Sequence, residues 1–199
     1  MRHAVTKDLF AYWNRLRGAR AAPDRADIDP AAIRHVLADT FIVEIDAHCA
    51  FPIRLCGTRL NALWLSDQKG RSFLELWREE DQRNVAAALL TVIDGVTPVV
   101  AGVRAQPVSE PSLDLELLLL PLRHFGKTHS RLLGSLSAGY QARWLGLVPA
   151  QPLELHSLRV IGAVEQQLTL AATTPPPAAR RRETPDVPRL VVYEGGKSR

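Results

Sequence analysis

Two short stretches of the chain alternate apolar and polar residues, a pattern that predicts a β-hairpin. One runs over residues 40–46 and the other over 51–56, and residues 47–50 are few enough for an antiparallel turn. The apolar positions expected to share the inner face are Phe41, Val43, Ile45, Phe51, Ile53 and Leu55. The same register places Glu44 opposite Arg54 on the outer face, which predicts an ion pair.

Apolar residues spaced three or four positions apart predict two amphipathic helices. The first runs from Thr6 to Arg17, and its apolar stripe consists of Leu9, Trp13 and Leu16. The second runs from Glu79 to Asp94, begins with acidic residues at the positive end of the helix dipole, and is followed by Gly95. Between them, Asp29 and Pro30 are typical of a helix start, so a short helix is expected there.

Further along the chain, strand patterns come in succession. Three of them cover residues 97–108, 113–124 and 131–138. In the middle one, Leu118 and Leu120 make the far end apolar on both faces. Another element should therefore cover its outer face, and the first helix is the candidate. Residues 153–164 are ambiguous between one more strand and a short helix.

The order of hairpin, short helices, long helix and three strands is that of a PAS domain. Several segments also resemble a family of short bacterial PAS-like proteins, over residues 6–147. These segments are Tyr12–Gly18, Asp27–Pro30, Arg54–Thr58, Gly70–Phe73 and the Leu-Leu-Leu-Pro-Leu run that ends at Leu122. The resemblance implies an α+β fold, in which a five-stranded antiparallel sheet carries helices over one face. An N-terminal helix would flank the sheet, and a small cavity would lie between sheet and helices.

Resemblance and composition together predict four segments. Residues 1–39 would form an N-terminal helical extension, 40–147 the PAS-like domain, and 148–172 a C-terminal extension packed on it. Residues 173–199, with a proline run and an arginine cluster, would form a disordered basic tail. PAS domains usually regulate an attached output domain, but no kinase, cyclase or DNA-binding signature follows Ala138. We therefore expect a stand-alone sensory or regulatory module that acts through protein contacts.

The net charge of +4 belongs to the tail and not to the expected domain. Of the 25 Lys and Arg and the 21 Asp and Glu, six and three respectively fall from residue 175 onward, which leaves 19 and 18 in the remainder. A nearly neutral body argues against an extended phosphate-binding surface and leaves a local patch open. The arginine triplet at 180–182 has no interleaved aromatic residues, so nucleic-acid binding through the tail is the least favoured hypothesis.

The sequence contains few groups that could carry chemistry. Its two cysteines, Cys49 and Cys56, are sparse, and the N-terminus has no apolar signal region. No apolar run is long enough to span a bilayer, so a cytoplasmic protein without membrane contact is expected. His124 and His129 lack a third metal ligand, and no nucleophile with a base or pair of carboxylates stands out. We expect no metal, no cofactor and no enzymatic activity.

Four residues are candidates for a ligand site. Trp64 and Trp77 flank the region where the resemblance places the cavity, and Leu55 and Leu89 project toward the same interior by their periodicity. Indole faces could stack on a small apolar or planar molecule. The alternative is that these residues fill the core of a chain in which aromatic residues make up only 6%. The sequence leaves both interpretations open.

Four other residues are candidates for a subunit interface. Phe10 and Tyr12 lie off the apolar stripe of the first helix, beside the outer end of the strand that carries Leu118 and Leu120. Apolar surface of this extent favours burial between subunits. We therefore expect a homodimer through these four residues, together with a protein partner that the sequence does not name.

Overall fold

A computed structural model gives the fold of the 199-residue chain and describes residues 1–45, 50–124 and 127–162, with the backbone alone at 124 and 127–130. The helices are α1 (Ala4–Arg17), α2 (Thr58–Trp64) and α3 (Glu79–Asp94). Short 3-10 turns cover Arg25–Asp27, Ala31–Ile33, Leu37–Asp39 and Phe73–Leu76. The strands are β1 (Thr40–Glu44), β2 (Ile53–Cys56), β3 (Val99–Ala105), β4 (Leu113–His124), β5 (Lys127–Ala138) and β6 (Glu154–Val160).

The strands form one antiparallel sheet in the order β2-β1-β5-β4-β3-β6. The first five positions of this order contain the hairpin and the three strands expected from the sequence. The sixth strand comes from the segment whose pattern was ambiguous, and it pairs with β3 at one edge of the sheet. The α+β fold with an antiparallel sheet is therefore confirmed, with six strands where five were expected.

The sheet lies between two apolar layers, which explains the two-sided pattern of β4. On the inner face, α2 and α3 contribute to a large buried cluster that includes Leu117 and Leu119. On the outer face, α1 contributes to a second buried cluster that includes Leu118 and Leu120. Successive residues of β4 point into different layers because side chains alternate along a strand. The expectation that the first helix covers the outer end of this strand is confirmed.

Helix α1 is held on the sheet by aromatic packing and by a hydrogen bond to β4. Trp13 is fully buried, and its ring stacks on that of Phe10 with centroids 6.0 Å apart. The Nε1 of Trp13 donates to the carbonyl oxygen of Pro121 at 2.8 Å. The helix begins at Ala4, earlier than the expected cap at Thr6, and Thr6 is itself buried. Helix α1 is therefore an integral part of the packed structure.

The expected exposure of Phe10 and Tyr12 is wrong, because the connector after α1 folds back over them. Phe10 is fully buried and Tyr12 is 5% exposed. Apolar residues of the connector join the outer cluster, namely Ile28, Ile33 and Val36. The Tyr12 hydroxyl also accepts a hydrogen bond from the backbone N–H of Asp29 at 2.8 Å. Leu118 and Leu120 are buried under the same helix, so the four residues predicted to form a dimer interface are not accessible to a second copy.

The hairpin forms as expected, but a bulge changes the register of β2. Ile42 pairs with Leu55 and Val43 pairs with Ile53, which leaves Arg54 as the extra residue. The bulge reverses the side on which the following residue points, so Leu55 lies on the outer side and is 40% exposed. The expectation that Leu55 faces the inner layer is therefore wrong.

The ion pair expected on the outer side of the hairpin is confirmed. The Nη2 of Arg54 lies 2.9 Å from Oε1 of Glu44. Arg131 of β5 joins the pair, with its Nη2 2.9 Å from the other carboxylate oxygen. Hydrogen bonds from Arg54 and then Arg131 lower the pKa of Glu44 and outweigh its partial burial. The cluster links three neighbouring strands on the outer face of the sheet.

Candidate functional site

The inner layer, where the sequence places a ligand cavity, is filled by side chains. The rings of Phe41 and Phe73 stack with centroids 5.0 Å apart, and Phe73 meets Trp77 at 5.9 Å. A void between α2, β4 and β5 has a volume of about 10 Å³. Space of this size holds about one water molecule. A small organic ligand would fit there only if the core opened.

Three of the four residues predicted to line a ligand site pack in or against the inner cluster. Trp77 is 2% exposed and Leu89 is fully buried, and both belong to the cluster. Trp64, at the end of α2, is half-buried and packs against it. Leu55 lies on the outer side, away from the other three. The structure thus brings Trp77 and Leu89 together as core residues, and the small void borders neither of them.

Three buried polar atoms have no hydrogen-bond partner among the described residues: the Nε1 of Trp77, the Oδ1 of Asp39 and the Oγ of Ser135. The other carboxylate oxygen of Asp39 is bound by Arg59 of α2. Burial raises the pKa of Asp39, and the hydrogen bond and charge of Arg59 offset this only in part. Neither Trp77 nor Asp39 borders the void, so neither atom indicates a ligand there.

A strap of residues 140–153 packs across α2 and the loop between β3 and β4. Trp144 in the strap is 4% exposed, and its Nε1 donates to the carbonyl oxygen of Pro111 at 3.0 Å. The backbone N–H of Ala150 donates to the carbonyl oxygen of Leu63 at 2.7 Å. The strap therefore adds its own apolar side chains to the inner layer. The sequence predicted packing on the domain only from residue 148 onward, and the large apolar ring of Trp144 was the one signal for the earlier part of the strap.

An open groove runs between α3 and the edge strand β6, and we call it the α3–β6 groove. It has a volume of about 410 Å³. Its walls include Asn84, Ala87 and Thr91 of α3 and Leu155 and Leu158 of β6. On the same two elements, Leu90 of α3 is 37% exposed, and Leu158 and Val160 of β6 are each 43% exposed. In contrast to the inner layer, this surface offers apolar side chains to another molecule.

Glu116 of β4 anchors the start of α1. Its carboxylate accepts hydrogen bonds from the backbone N–H of Arg2 at 2.7 Å and of His3 at 3.2 Å. Burial would raise the pKa of this carboxyl, but hydrogen bonds from Thr6, Arg2 and His3 together outweigh burial and lower it. An ionised carboxylate at this position also interacts favourably with the positive end of the helix dipole.

Because of this anchor, the free energy of unfolding should decrease at acid pH. Because the pKa of Glu116 is lower in the folded chain than its ordinary value of 4.5, its contribution is complete above that value and is lost as pH falls through the folded pKa. We expect Glu116→Gln to lower the free energy of unfolding at pH 7 by about 1–3 kcal/mol. Urea unfolding at pH 7 and pH 3 checks this, since the difference between wild type and variant should shrink at pH 3.

A suitable control is Glu110→Gln, because Glu110 is an exposed loop residue. Its unfolding free energy should match that of the wild type at both pH values. An equal loss of stability for Glu116→Gln at pH 7 and pH 3 would contradict an anchor that depends on the ionised carboxylate.

Comparison with known proteins identifies the family to which this fold belongs. A family profile described as a PAS domain matches residues 1–137, which is more than half of the chain and includes α1. The chain belongs to the PAS domain family. The resemblance found in the sequence is thereby confirmed, and with it a module of general sensory or regulatory type. None of the curated proteins matches the chain.

Two solved structures resemble this PAS domain at low sequence identity. The PAS domain of a protein from Colwellia psychrerythraea is 14% identical, with a TM-score of 0.42, and the match covers 55% of this chain and 97% of that one. An RNA-binding light-oxygen-voltage receptor is 15% identical, with a TM-score of 0.41. That second match covers 72% of this chain but only 36% of the receptor.

Two other properties of the PAS domain concern membranes and metals. Among the residues that the structure describes, no helix has the length and hydrophobicity needed to cross a membrane. Over the same residues, His, Cys, Asp and Glu side chains do not gather in groups that could hold a metal ion.

Cys56 is half-buried, and burial raises the pKa of its thiol to about 12. Cys49, the side chains of His124 and His129 and the expected tail at 173–199 lie outside the described residues.

Proposed function

We propose that this PAS domain is a regulatory module that works through protein–protein contacts and catalyses no reaction. The contacts are made at the α3–β6 groove, and a second copy of the chain is the partner. The observation that carries the proposal is the contrast between a closely packed inner layer and the open α3–β6 groove, which has the exposed apolar side chain of Leu158 in its wall. Interior space amounts to about 10 Å³ beside α2, whereas the α3–β6 groove measures about 410 Å³.

The position of β6 in the sheet supports the same proposal. Among the described residues β6 pairs with β3 alone. The Oδ2 of Asp81 accepts a hydrogen bond from the backbone N–H of Leu155 at 2.9 Å, so the other side of this edge strand is only partly occupied. Addition of a strand at such an edge is a common way for proteins to associate. The bulge of β6 between its pairs with Gly102 and Val103 interrupts regular pairing, so we expect modest affinity.

A small apolar or planar ligand inside the PAS domain is the alternative, and it has less support. Trp77 and Leu89 are core residues, and Leu55 lies on the outer side of the sheet. A ligand would have to displace packed side chains, because interiors of proteins are already close-packed. Native mass spectrometry of the purified protein would reveal such a ligand as an added mass.

Sedimentation equilibrium of the full chain tests the proposed self-association. We expect a monomer–dimer equilibrium for the wild type and a shift toward monomer for Leu158→Asp. Leu158 is an exposed apolar side chain in the groove, and a charge in a buried contact weakens binding by about 2 kcal/mol or more, roughly 30-fold.

The matched control is Leu147→Asp, because Leu147 is 75% exposed in the strap and is not a groove residue. This variant should associate as the wild type does. A wild type that stays monomeric at high micromolar concentration would contradict self-association. Equal effects of both substitutions would show that the groove is not the surface involved.

A further inference from the structure

A second groove crosses the outer face of the sheet where α1 leaves it uncovered, and we call it the outer groove. Its floor is formed by β3 and the start of β4. Residues 1–3 form one wall, and β6 forms the other. Its volume is about 540 Å³. Sites for small molecules commonly have volumes of this order.

The charges that line the outer groove are mostly positive. Guanidinium groups come from Arg2, Arg104 and Arg159. The two carboxylates present, Asp114 and Glu116, already have partners. Asp114 lies 3.0 Å from the Nε of Arg104, and Glu116 binds the backbone N–H groups of the N-terminal segment. Because three guanidinium groups stand against two carboxylates, the groove has an excess of positive charge although the domain as a whole is nearly neutral.

The floor of the outer groove is open because residue 102 is glycine. The backbone N–H of Gly102 donates to the hydroxyl oxygen of Ser157 at 3.1 Å. A Cβ at this position would lie 2.7 Å from the same oxygen and would fill the space above the floor. Since the hydroxyl of Ser157 accepts from the backbone, its own proton can be donated to a ligand. The floor thus combines close access to the sheet with a hydrogen-bond donor.

We propose that the outer groove binds a small soluble molecule that carries phosphate groups. Guanidinium groups match phosphate oxygens with paired, charge-assisted hydrogen bonds. Because Arg2, Arg104 and Arg159 come from different elements, the groove suits a ligand with more than one phosphate. Polar and apolar residues share the lining, so the positive charge and not the apolar area decides which class of ligand fits. The outer groove adjoins the α3–β6 groove proposed for protein contacts, and both are lined by His156, Ser157 and Leu158 of β6.

The construction of the groove links its occupancy to α1. Arg2 and His3 form part of one wall, and their backbone N–H groups are held by Glu116 just before the helix begins. A ligand that contacts this segment stabilises the arrangement in which α1 is docked, because binding favours the folded state by mass action. Occupancy should therefore raise the melting temperature of the protein.

Isothermal titration calorimetry of the full chain with sodium pyrophosphate is the direct test. We expect the wild type to bind pyrophosphate at low ionic strength, and more weakly as salt is added. The double variant Arg104→Ala/Arg159→Ala should lose about tenfold in affinity for each arginine removed. Gly102→Ala should also weaken binding, since it fills the floor and leaves every charge in place. Thermal unfolding of each variant without ligand verifies that it is folded.

The control is Arg83→Ala, an exposed arginine of α3 that is not a residue of the outer groove. It should bind pyrophosphate as the wild type does. The proposal is overturned if millimolar pyrophosphate does not bind the wild type, or if Arg83→Ala loses as much affinity as the double variant. It is equally overturned if a single-stranded oligonucleotide binds through Arg104 and Arg159 while pyrophosphate does not. The titration is run at a protein concentration at which the chain is monomeric, which separates these outcomes from self-association at the neighbouring α3–β6 groove.

Discussion

Replacement of Trp13 by alanine is expected to lower the free energy of unfolding by about 3–5 kcal/mol. Trp13 is fully buried between α1 and the outer face of the sheet, and it stacks on Phe10. Its removal leaves a large cavity in the outer cluster and deprives the carbonyl oxygen of Pro121 of its 2.8 Å hydrogen bond. Single domains have a total free energy of unfolding of only about 5–15 kcal/mol, so this substitution should remove a large part of the stability of the protein.

Urea unfolding followed by circular dichroism measures this effect without relying on tryptophan fluorescence. Trp64→Ala is the matched control, because Trp64 is only half-buried. Trp64→Ala should lower the free energy of unfolding clearly less than Trp13→Ala does. The loss of unfolding free energy for Trp13→Phe should lie between those two values, since this variant keeps an aromatic ring and loses the hydrogen bond to Pro121. Equal stability of Trp13→Ala and Trp64→Ala would show that α1 is not part of the cooperative fold.

The second large effect is expected from Gly134→Ala on β5. Glycine in a strand is ordinarily less stable than alanine by about 0.5–1 kcal/mol, so this substitution should normally stabilise the protein. Here Gly134 pairs with Phe41, and a Cβ would collide with the ring of Phe41. That ring is fully buried and stacked on Phe73, so it has little room to move. We expect destabilisation by about 1–3 kcal/mol.

A double-mutant cycle tests the cause of this effect. Phe41→Leu removes the ring, so Gly134→Ala should cost less in the Phe41→Leu background than in the wild type, with a coupling energy of about 0.5–3 kcal/mol. Gly162→Ala serves as the control, because a Cβ there would meet no atom within 4 Å. Additive effects of Phe41→Leu and Gly134→Ala in urea unfolding would rule out the collision as the cause.

The elements with local signals were predictable from the sequence. Helix α3 begins and ends where its acidic first turn and Gly95 indicate. Strand β4 was expected at the residues where it lies, and its two-sided apolar pattern indicated that α1 would cover it. These predictions succeeded because periodicity and helix caps depend on neighbours in the sequence.

The failures arose where long-range pairing decides the outcome. The bulge at Arg54 is set by the way β2 meets β1, and it moved Leu55 to the opposite face. Phe10 is covered by a connector that carries no periodic pattern of its own. The outer groove joins Arg2, Arg104 and Arg159, which are far apart in sequence and meet only through the sheet. A local pattern of hydrophobic and polar residues does not predict that such distant residues lie close together.

The attachment of the first residues to Glu116 has a practical consequence for anyone who prepares this protein. An affinity tag fused ahead of Met1 would emerge at the mouth of the outer groove, beside Arg2 and His3. The chain of such a tag would compete with a ligand for access to the arginines. Titrations with phosphate compounds therefore require protein from which such a tag has been removed.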